Sequence, residues 1–179
     1  LDGSLADLNA FVAGGALSYT TAPDDVDDVL LNVSVDDLGN SGAGGAMSAN
    51  TTLTLGVEAQ NDPPSISAPP SIAVIEDTES TIAGIVFADP DAGNSAIEVV
   101  LAVARGELIA NSGSGVVAVE TGLELTLTGT LDDLNAFVAA NQISYITAPD
   151  DVADVLLSVS VDDLGNSGAG GSQSSSQDL

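Results

Sequence analysis

The sequence predicts an all-β fold of tandem β-sandwiches, with one short helix in each repeat. Short runs of apolar residues, often alternating with polar ones, are separated by Gly, Asn, Asp and Pro, which is typical of sandwich strands. A long segment occurs twice, which indicates a repeat architecture. One apolar segment in each copy has the spacing of a helix instead of a strand.

Strands are predicted wherever alternating apolar residues are bounded by turn residues. In the second part of the chain they are expected at residues 72–76, 82–88, 97–104, 107–110, 116–119, 123–128, 143–147 and 155–162. The first part contains counterparts of the last two strands, at residues 17–21 and 29–36.

A helix is predicted to begin after Thr130, which pairs with Asp133 as in a capping box. The apolar residues that follow fall on one helical face; they are Leu131, Leu134, Phe137 and Val138. Phe137 and its counterpart Phe11 are therefore expected in the core. The hydroxyl groups of Tyr19 and Tyr145 are expected to bond to backbone near the end of a strand.

The repeat defines the domain organisation. Residues 5–45 recur as residues 131–171, and 33 of the 41 aligned positions are identical. We call these two segments the back half-repeats, and residues 62–130 the front half-repeat. The predicted domains are the C-terminal half of one repeat at 1–61, a second repeat at 62–171 that lacks its last strand, and a polar tail or linker at 172–179. The missing strand is the one that residues 51–59 give to the first copy.

The charge of the chain restricts its partners. Asp and Glu number 27 against one basic residue, and the formal net charge is −26. Such a surface repels nucleic acid and anionic lipid. Because 44% of the residues are hydrophobic, we expect the chain to fold, with cations neutralising its crowded carboxylates. No segment has the length of a membrane span, and a secretion signal is expected to lie outside these residues.

The residue inventory argues against catalysis. The chain has no His, Cys or Lys, and most nucleophilic and acid–base mechanisms need one of them. A pair of carboxylates can cleave glycosides, but sugar sites also need aromatic platforms, and this chain has no Trp and only 3% aromatic residues. We therefore predict that the chain is not an enzyme. The single basic residue, Arg105, is expected to form a salt bridge at a turn.

Metal binding is the stronger chemical signal. Clustered Asp, Glu and Asn supply hard oxygen ligands, which suit Ca²⁺, and Pro63 and Pro64 stiffen the junction where several of them lie. The predicted metal ligands are Asp36, Asp37, Glu58, Asn61, Asp62, Glu76, Asp77, Asp89 and Asp91. The alternative is that these residues only form turns. The repeated Val-Asp-Asp-Leu-Gly-Asn-Ser-Gly-Ala-Gly-Gly segment is explained by a plain hairpin turn.

The order of these motifs resembles the cadherin-like, immunoglobulin-like repeats of giant bacterial surface adhesins, which are exported by type I secretion and grouped with RTX adhesins. Asn61-Asp62-Pro63 is similar to the cadherin junction motif, and Asp89-Pro90-Asp91 to its Asp-x-Asp pair. The resemblance implies Greek-key sandwiches in an extracellular rod, with Ca²⁺ at the joints and neighbouring repeats as partners.

Three functions follow as expectations. The first is a calcium-rigidified structural or adhesive repeat at the cell surface or in a biofilm matrix. The second is a filament subunit that exchanges strands with copies of itself, because missing strands leave open sheet edges. The third is a carbohydrate-binding module, which the shortage of aromatic residues disfavours.

Overall fold

The computed structural model describes residues 1–39 and 42–179. Over these residues the chain is mostly antiparallel β-sheet with two short helices, as predicted. Neither helix is long and apolar enough to span a membrane. The chain divides into two compact units, Leu1–Val57 and Glu58–Leu179.

The first unit contains one helix and one pair of strands. Helix α1 (Leu5–Ala13) begins at the N-cap Ser4, and strands β1 (Val29–Asp36) and β2 (Ser48–Leu55) pair antiparallel. None of the described residues of this unit is buried. The predicted hairpin turn at residues 35–45 includes residues 40 and 41, which lie outside the described residues.

The second unit contains ten strands and one helix among its residues. They are β3 (Ser65–Ser67), β4 (Ser80–Thr81), β5 (Val86–Ala88), β6 (Ala96–Val103), β7 (Glu107–Ala110), β8 (Val117–Glu120), β9 (Glu124–Thr130), α2 (Leu131–Ala139), β10 (Ile143–Ile146), β11 (Leu157–Asp162) and β12 (Ser174–Asp178). The largest sheet has the order β12-β11-β6-β9-β8, a second has the order β4-β10-β7, and β3 pairs with β5.

A single apolar core lies between these sheets. Alternate residues of β6, β9 and β11 are buried, as expected for strands with one face on a core. They form one cluster with buried residues of β7, β10 and α2. The arrangement is consistent with a β-sandwich.

Helix α2 confirms the prediction for this segment. The Thr130 hydroxyl accepts a hydrogen bond from the Asp133 backbone N–H at 3.2 Å, and the buried residues are Leu134, Phe137 and Val138. The Asn135 side chain clamps the backbone of Phe87 in β5, accepting from its N–H and donating to its carbonyl, each at 2.9 Å. The helix is therefore attached to the front half-repeat by both packing and hydrogen bonds.

Two strand predictions in the front half-repeat need correction. Residues 72–76 form no strand; Ile72 packs against the core, but the Ile75 backbone N–H bonds to the Ser80 hydroxyl in a local turn. Residues 82–88 do not form one strand, because Gly84 has a φ of +82°. The chain therefore leaves β4 and enters β5, which pairs with a different strand.

The prediction of a strand at residues 17–21 is also wrong. The matching segment of the second unit is β10, which pairs with β4 on one side and β7 on the other. The Tyr145 hydroxyl donates to the Arg105 carbonyl at 3.0 Å, as predicted, whereas Tyr19 is 56% exposed. Nearly the same sequence is thus a strand only where front half-repeat strands flank it, which is a tertiary effect that local pattern does not contain.

The tail is not a linker, and the second repeat does not lack its last strand. Ser174–Asp178 forms β12, which pairs with β11 in the same register that β2 has on β1: Asp162 lies opposite Ser174, and Asp36 opposite Ser48. The sequence Ser-Gln-Ser-Ser-Ser-Gln-Asp-Leu has no β-branched residue. Its strand forms through backbone hydrogen bonds to the edge of β11, which do not depend on side-chain type.

The two phenylalanines provide a matched test of the fold. Phe137→Ala should lower the free energy of unfolding of the second unit by about 3–5 kcal/mol, the usual cost for a buried Phe, because Phe137 is 1% exposed. Phe11→Ala should cost under about 1 kcal/mol, as for exposed sites, because Phe11 is 41% exposed. Urea unfolding followed by circular dichroism measures both, and equal costs would contradict the structure.

Removal of the last strand tests the correction at the tail. Deleting residues 174–179 should destabilise the second unit by about 2–4 kcal/mol, at about 1 kcal/mol for each of several lost backbone hydrogen bonds. The control is Ser176→Thr, an exposed position in β12, which should be neutral or slightly stabilising because Thr favours strands. If the deletion has no effect on urea unfolding, the tail is a linker after all.

Candidate functional site

Residues from the segment before β3 (residues 58–64, here called the linker) and from two loops, one after β5 and one after β11, meet at one end of the second unit. We call Asn61, Asp62, Asp89, Asp91 and Asp163 the end cluster. Asn61 is 2% exposed and Asp163 1% exposed. The Asn61 side-chain amide donates to Asp163 Oδ2 at 2.6 Å and to the Gly171 carbonyl at 2.8 Å. The beginning of the repeat is thus tied to the loop after β11.

The glycine-rich loop at residues 165–171 holds the linker by its backbone. The Asn61 N–H donates to the Ala169 carbonyl at 2.9 Å, and the Ala169 N–H donates to the Ala59 carbonyl at 2.8 Å. Gly168 has a φ of +79°, and a Cβ atom there would lie 2.5 Å from the Asn61 nitrogen. Glycine is therefore required by both conformation and close approach, and the loop does more than form a turn.

Asp62 links this linker to the loop after β5. Its backbone N–H donates to Asp91 Oδ2 at 2.9 Å. In the same loop, Asp89 Oδ1 accepts from the backbone N–H groups of Asp91 at 3.0 Å and Ala92 at 2.9 Å. The Ser167 hydroxyl donates to the Asp91 carbonyl, so the glycine-rich loop contacts the same aspartate.

Three oxygens of the end cluster are buried without a hydrogen-bond partner among the described residues: Asn61 Oδ1, Asp89 Oδ2 and Asp91 Oδ1. Burial is the largest effect on Asp89, and the neighbouring Asp91 carboxylate adds to it, so the pKa of Asp89 is raised above its ordinary value although two backbone N–H groups oppose the change. A buried acceptor with no donor costs free energy, and a bound cation would remove that cost.

Asp163 has the opposite electrostatic environment. Burial acts to raise its pKa, but the backbone N–H groups of Gln173 and Gly165 and the Asn61 amide outweigh burial, so the pKa of Asp163 is lowered. Its Oδ1 accepts from Gly165 at 2.7 Å and from Gln173 at 2.8 Å. Asp163 is therefore a satisfied carboxylate that holds Asn61 in place.

The donor set fits a hard cation only in part. Asn61 Oδ1, Asp89 Oδ2 and Asp91 Oδ1 are the hard oxygens that Ca²⁺ prefers, and Ca²⁺ takes six to eight such ligands. In the described parts of the chain, no group of three or more His, Cys, Asp or Glu residues has the arrangement of a metal site. Two carboxylates and an amide would hold the ion here, with backbone carbonyls or water completing its coordination.

The other predicted ligands of the second unit are not part of the end cluster. Glu58, three residues before Asn61 in the linker, is exposed, and so is Glu76. The Asp77 N–H donates to the Thr147 hydroxyl, and Asp77 Oδ1 accepts from the Asp150 backbone N–H. Both contacts lie just beyond the end of β10 where Ile146 pairs with Glu107. The end cluster lies instead near Ala96, whose carbonyl accepts from Asn166. Since β6 is eight residues long, about 25 Å separates these two ends, and Asp77 cannot share an ion with Asp89.

Asp36 and Asp37 belong to the first unit, where their side chains bond to local backbone. Asp36 Oδ1 accepts from the Leu38 N–H at 2.7 Å. Asp37 Oδ1 accepts from Met47 at 2.8 Å and Gly39 at 2.9 Å, and these bonds lower its pKa. These bonds are typical of turns, as expected if Asp36 and Asp37 form a turn and do not bind a metal.

The sequence analysis did not select Asp163. It is the counterpart of Asp37 in the second back half-repeat, but its segment was explained by a plain turn. The two residues that pair, Asn61 and Asp163, are 102 positions apart. The signal that could have found it was the repeat itself, because a ligand assigned in one copy predicts the matching residue in the other.

A separate cleft of about 650 Å³ lies in the second unit, lined by residues of the 71–76 segment and the 151–157 segment. Tyr145 is its one aromatic lining residue, and the rest of its apolar wall is mostly aliphatic. Sugar sites use aromatic stacking, so this cleft adds no support for glycan binding. Beside it, Arg105 forms the predicted salt bridge, 2.5 Å from Asp151.

Alanine substitution in the glycine-rich loop tests how the linker is held. Gly168→Ala should destabilise the second unit by about 2–4 kcal/mol, from positive-φ strain together with a steric clash. The matched control is Gly42→Ala, also at positive φ (+98°), where a Cβ would meet nothing within 4 Å in the described part of the chain. That variant should cost only the strain, about 1 kcal/mol. Similar losses in thermal unfolding would contradict the assigned clash.

Comparison with known proteins identifies no relative that could assign this geometry. No family model, curated protein or solved structure matches the chain. The functional argument therefore depends on the repeat, the charge and the chemistry of the end cluster.

Proposed function

We propose that the chain is a calcium-stabilised structural or adhesive repeat of an extracellular surface protein. In this proposal the sandwiches have the Greek-key, cadherin-like topology, and the chain works without catalysis as part of a rod in cell-surface adhesion or a biofilm matrix. Its partners are neighbouring repeats of the same kind. The observation that supports it most directly is the set of buried oxygens on Asn61, Asp89 and Asp91 that have no hydrogen-bond partner among the described residues.

The position of the end cluster gives calcium a mechanical role. Asn61 and Asp62 come directly before Pro63 and Pro64, where proline restricts the backbone. An ion held by Asn61, Asp89 and Asp91 would fix the linker to the loop after β5. The joint that leads into the sandwich would then be stiff with the ion bound and weaker without it.

The charge of the chain supports the same proposal. The protein has a net charge of −26. Bound divalent cations would therefore stabilise the fold, because they reduce repulsion between its carboxylates. The raised pKa of Asp89 means that its charged form is disfavoured in the metal-free fold. A carboxyl whose pKa is higher in the folded than in the unfolded state lowers stability once it is ionised, and bound Ca²⁺ would reverse that effect.

Calcium removal with a charge-neutral variant tests the proposal. Saturating Ca²⁺ should stabilise the wild type by about 2.7 kcal/mol at a hundred times Kd, which raises Tm by on the order of 10 °C. EDTA should abolish the increase. Asp89→Asn should be at least as stable as the wild type in EDTA, because the buried charge is gone, and should lose the calcium response.

Asp77→Asn is the matched control, since it removes a carboxylate at the opposite end of the unit and should keep the full response. Scanning calorimetry with and without EDTA measures all three proteins. A wild-type Tm that is the same in calcium and in chelator would refute the proposal, as would an unchanged response in Asp89→Asn.

A further inference from the structure

The first unit exposes surfaces that are buried in the second. Val33 and Val35 of β1 are 42% and 51% exposed, whereas their counterparts Val159 and Val161 are 0% and 1% exposed. The same contrast holds for the helix, where Phe11 is 41% exposed and Phe137 1% exposed. Since the two back half-repeats are nearly identical in sequence, the difference lies in what covers them. In the second unit the cover is the front half-repeat.

The first of these surfaces is a strand edge. Strand β11 pairs with β12 on one side and with β6 on the other, Leu157 facing Val103 and Asp162 facing Glu98. In the first unit, β1 pairs with β2 in the register of β11 with β12. The sheet described there contains only these two strands. The free edge of β1 therefore matches the edge that β6 occupies in the second unit.

Three further features of the first unit match parts of the front half-repeat and its linker. Asn9 is exposed, whereas its counterpart Asn135 forms hydrogen bonds to the backbone of β5. Residues 17–21 form no strand and lack the flanking strands that β10 has in β4 and β7. Gly42 and Gly44 leave open the space that Gln60 and Asn61 fill beside Gly168 and Gly170.

We infer that the exposed face of the first unit binds a front half-repeat of the same type as residues 62–130, with its linker, supplied from outside these 179 residues. The incoming β6-type strand adds antiparallel to β1, and places its equivalent of Leu101 opposite Val33, as Leu101 lies opposite Val159. The incoming linker enters the glycine loop at residues 42–45. Strand addition at an open edge with side chains entering a preformed apolar face is an established mode of recognition.

The numbers of half-repeats argue against a second copy of this chain as the occupant. Each chain carries two back half-repeats and one front half-repeat, and the front one is already packed on residues 131–161. Exchange between copies would expose one back half-repeat for each one that it covers. An outside front half-repeat buries the face with no such loss.

An extended chain tests the inference directly. A copy of residues 58–126 placed before Leu1 continues the repeat in phase, because residue 127 is the counterpart of Leu1. Hydrogen exchange of Asn32, Ser34 and Asp36, whose N–H groups face the free edge of β1 because the alternate residues bond to β2, should slow by at least about a hundredfold relative to the 179-residue chain, as expected when an edge strand becomes a core strand. The control copy carries Leu101→Asp and Leu125→Asp, at positions that are 1% and 0% exposed, and should give no protection.

The register can be tested by cross-linking, because the chain has no cysteine. A disulfide should form between Val33→Cys and Leu101→Cys in the added copy. It should not form between Val33→Cys and Val100→Cys in that copy, since Val100 pairs opposite the counterpart of Ser34.

The inference is overturned if β1 gains no protection in the extended chain, or if the control copy protects it equally. Protection of β1 in the unextended chain that rises with concentration would show that a second copy is the occupant and would also overturn it. The inference shares only the repeat organisation with the proposed function. The same hydrogen-exchange and cross-linking measurements, repeated in EDTA, distinguish this inference from the proposed calcium binding.

Discussion

Burial of the back half-repeat against a front half-repeat is the interaction on which the rest of the structure depends. Where both halves are present, a cluster of aliphatic and aromatic side chains is closed between the sheets, and the hydrophobic term is the main favourable contribution to folding. Where the front half is absent, the same helix, strand and tyrosine remain exposed. The two units thus compare one sequence with and without its packing partner.

The end cluster depends on this packing in turn. Asn61 reaches Asp163 only because β11 brings its last residues beside the start of β6, and the glycine-rich loop then closes over the linker. This closure brings Asp62 against Asp91 and leaves three acceptor oxygens without donors in the part of the chain that the structure describes. The site is therefore a product of the completed sandwich, and a back half-repeat alone does not contain it.

The sequence predicted the elements that local pattern determines. Strands β6, β7, β9, β10 and β11 and the cap of α2 follow from alternation and from Thr130, because their apolar residues have one clear buried face. Residues 17–21 and 72–76 carry the same pattern but form no strand, since strand formation also requires a partner edge.

The tail shows the opposite case. Ser174–Asp178 has no strand pattern, but it forms β12 because the edge of β11 is available for pairing. Within the site, the sequence predicted Asn61, Asp62, Asp89 and Asp91, which meet, and also Glu58, Glu76 and Asp77, which do not join them. Glu76 and Asp77 lie at the opposite end of the unit, which only the topology reveals, whereas Glu58 lies in the linker but is exposed. Asp163 was missed because its segment also satisfies the simpler requirements of a hairpin turn.

Strand β12 has one more consequence, for association between sheets. It is an outer strand of the five-stranded sheet, and its residues are Ser, Ser, Ser, Gln and Asp. Exposed edge strands are templates for aggregation unless polar or charged residues make them unattractive, and a serine-rich strand ending in Asp offers no apolar surface to an incoming sheet. Strand β12 thereby satisfies the backbone of β11 and at the same time presents a polar edge, which disfavours pairing of this edge with another sheet.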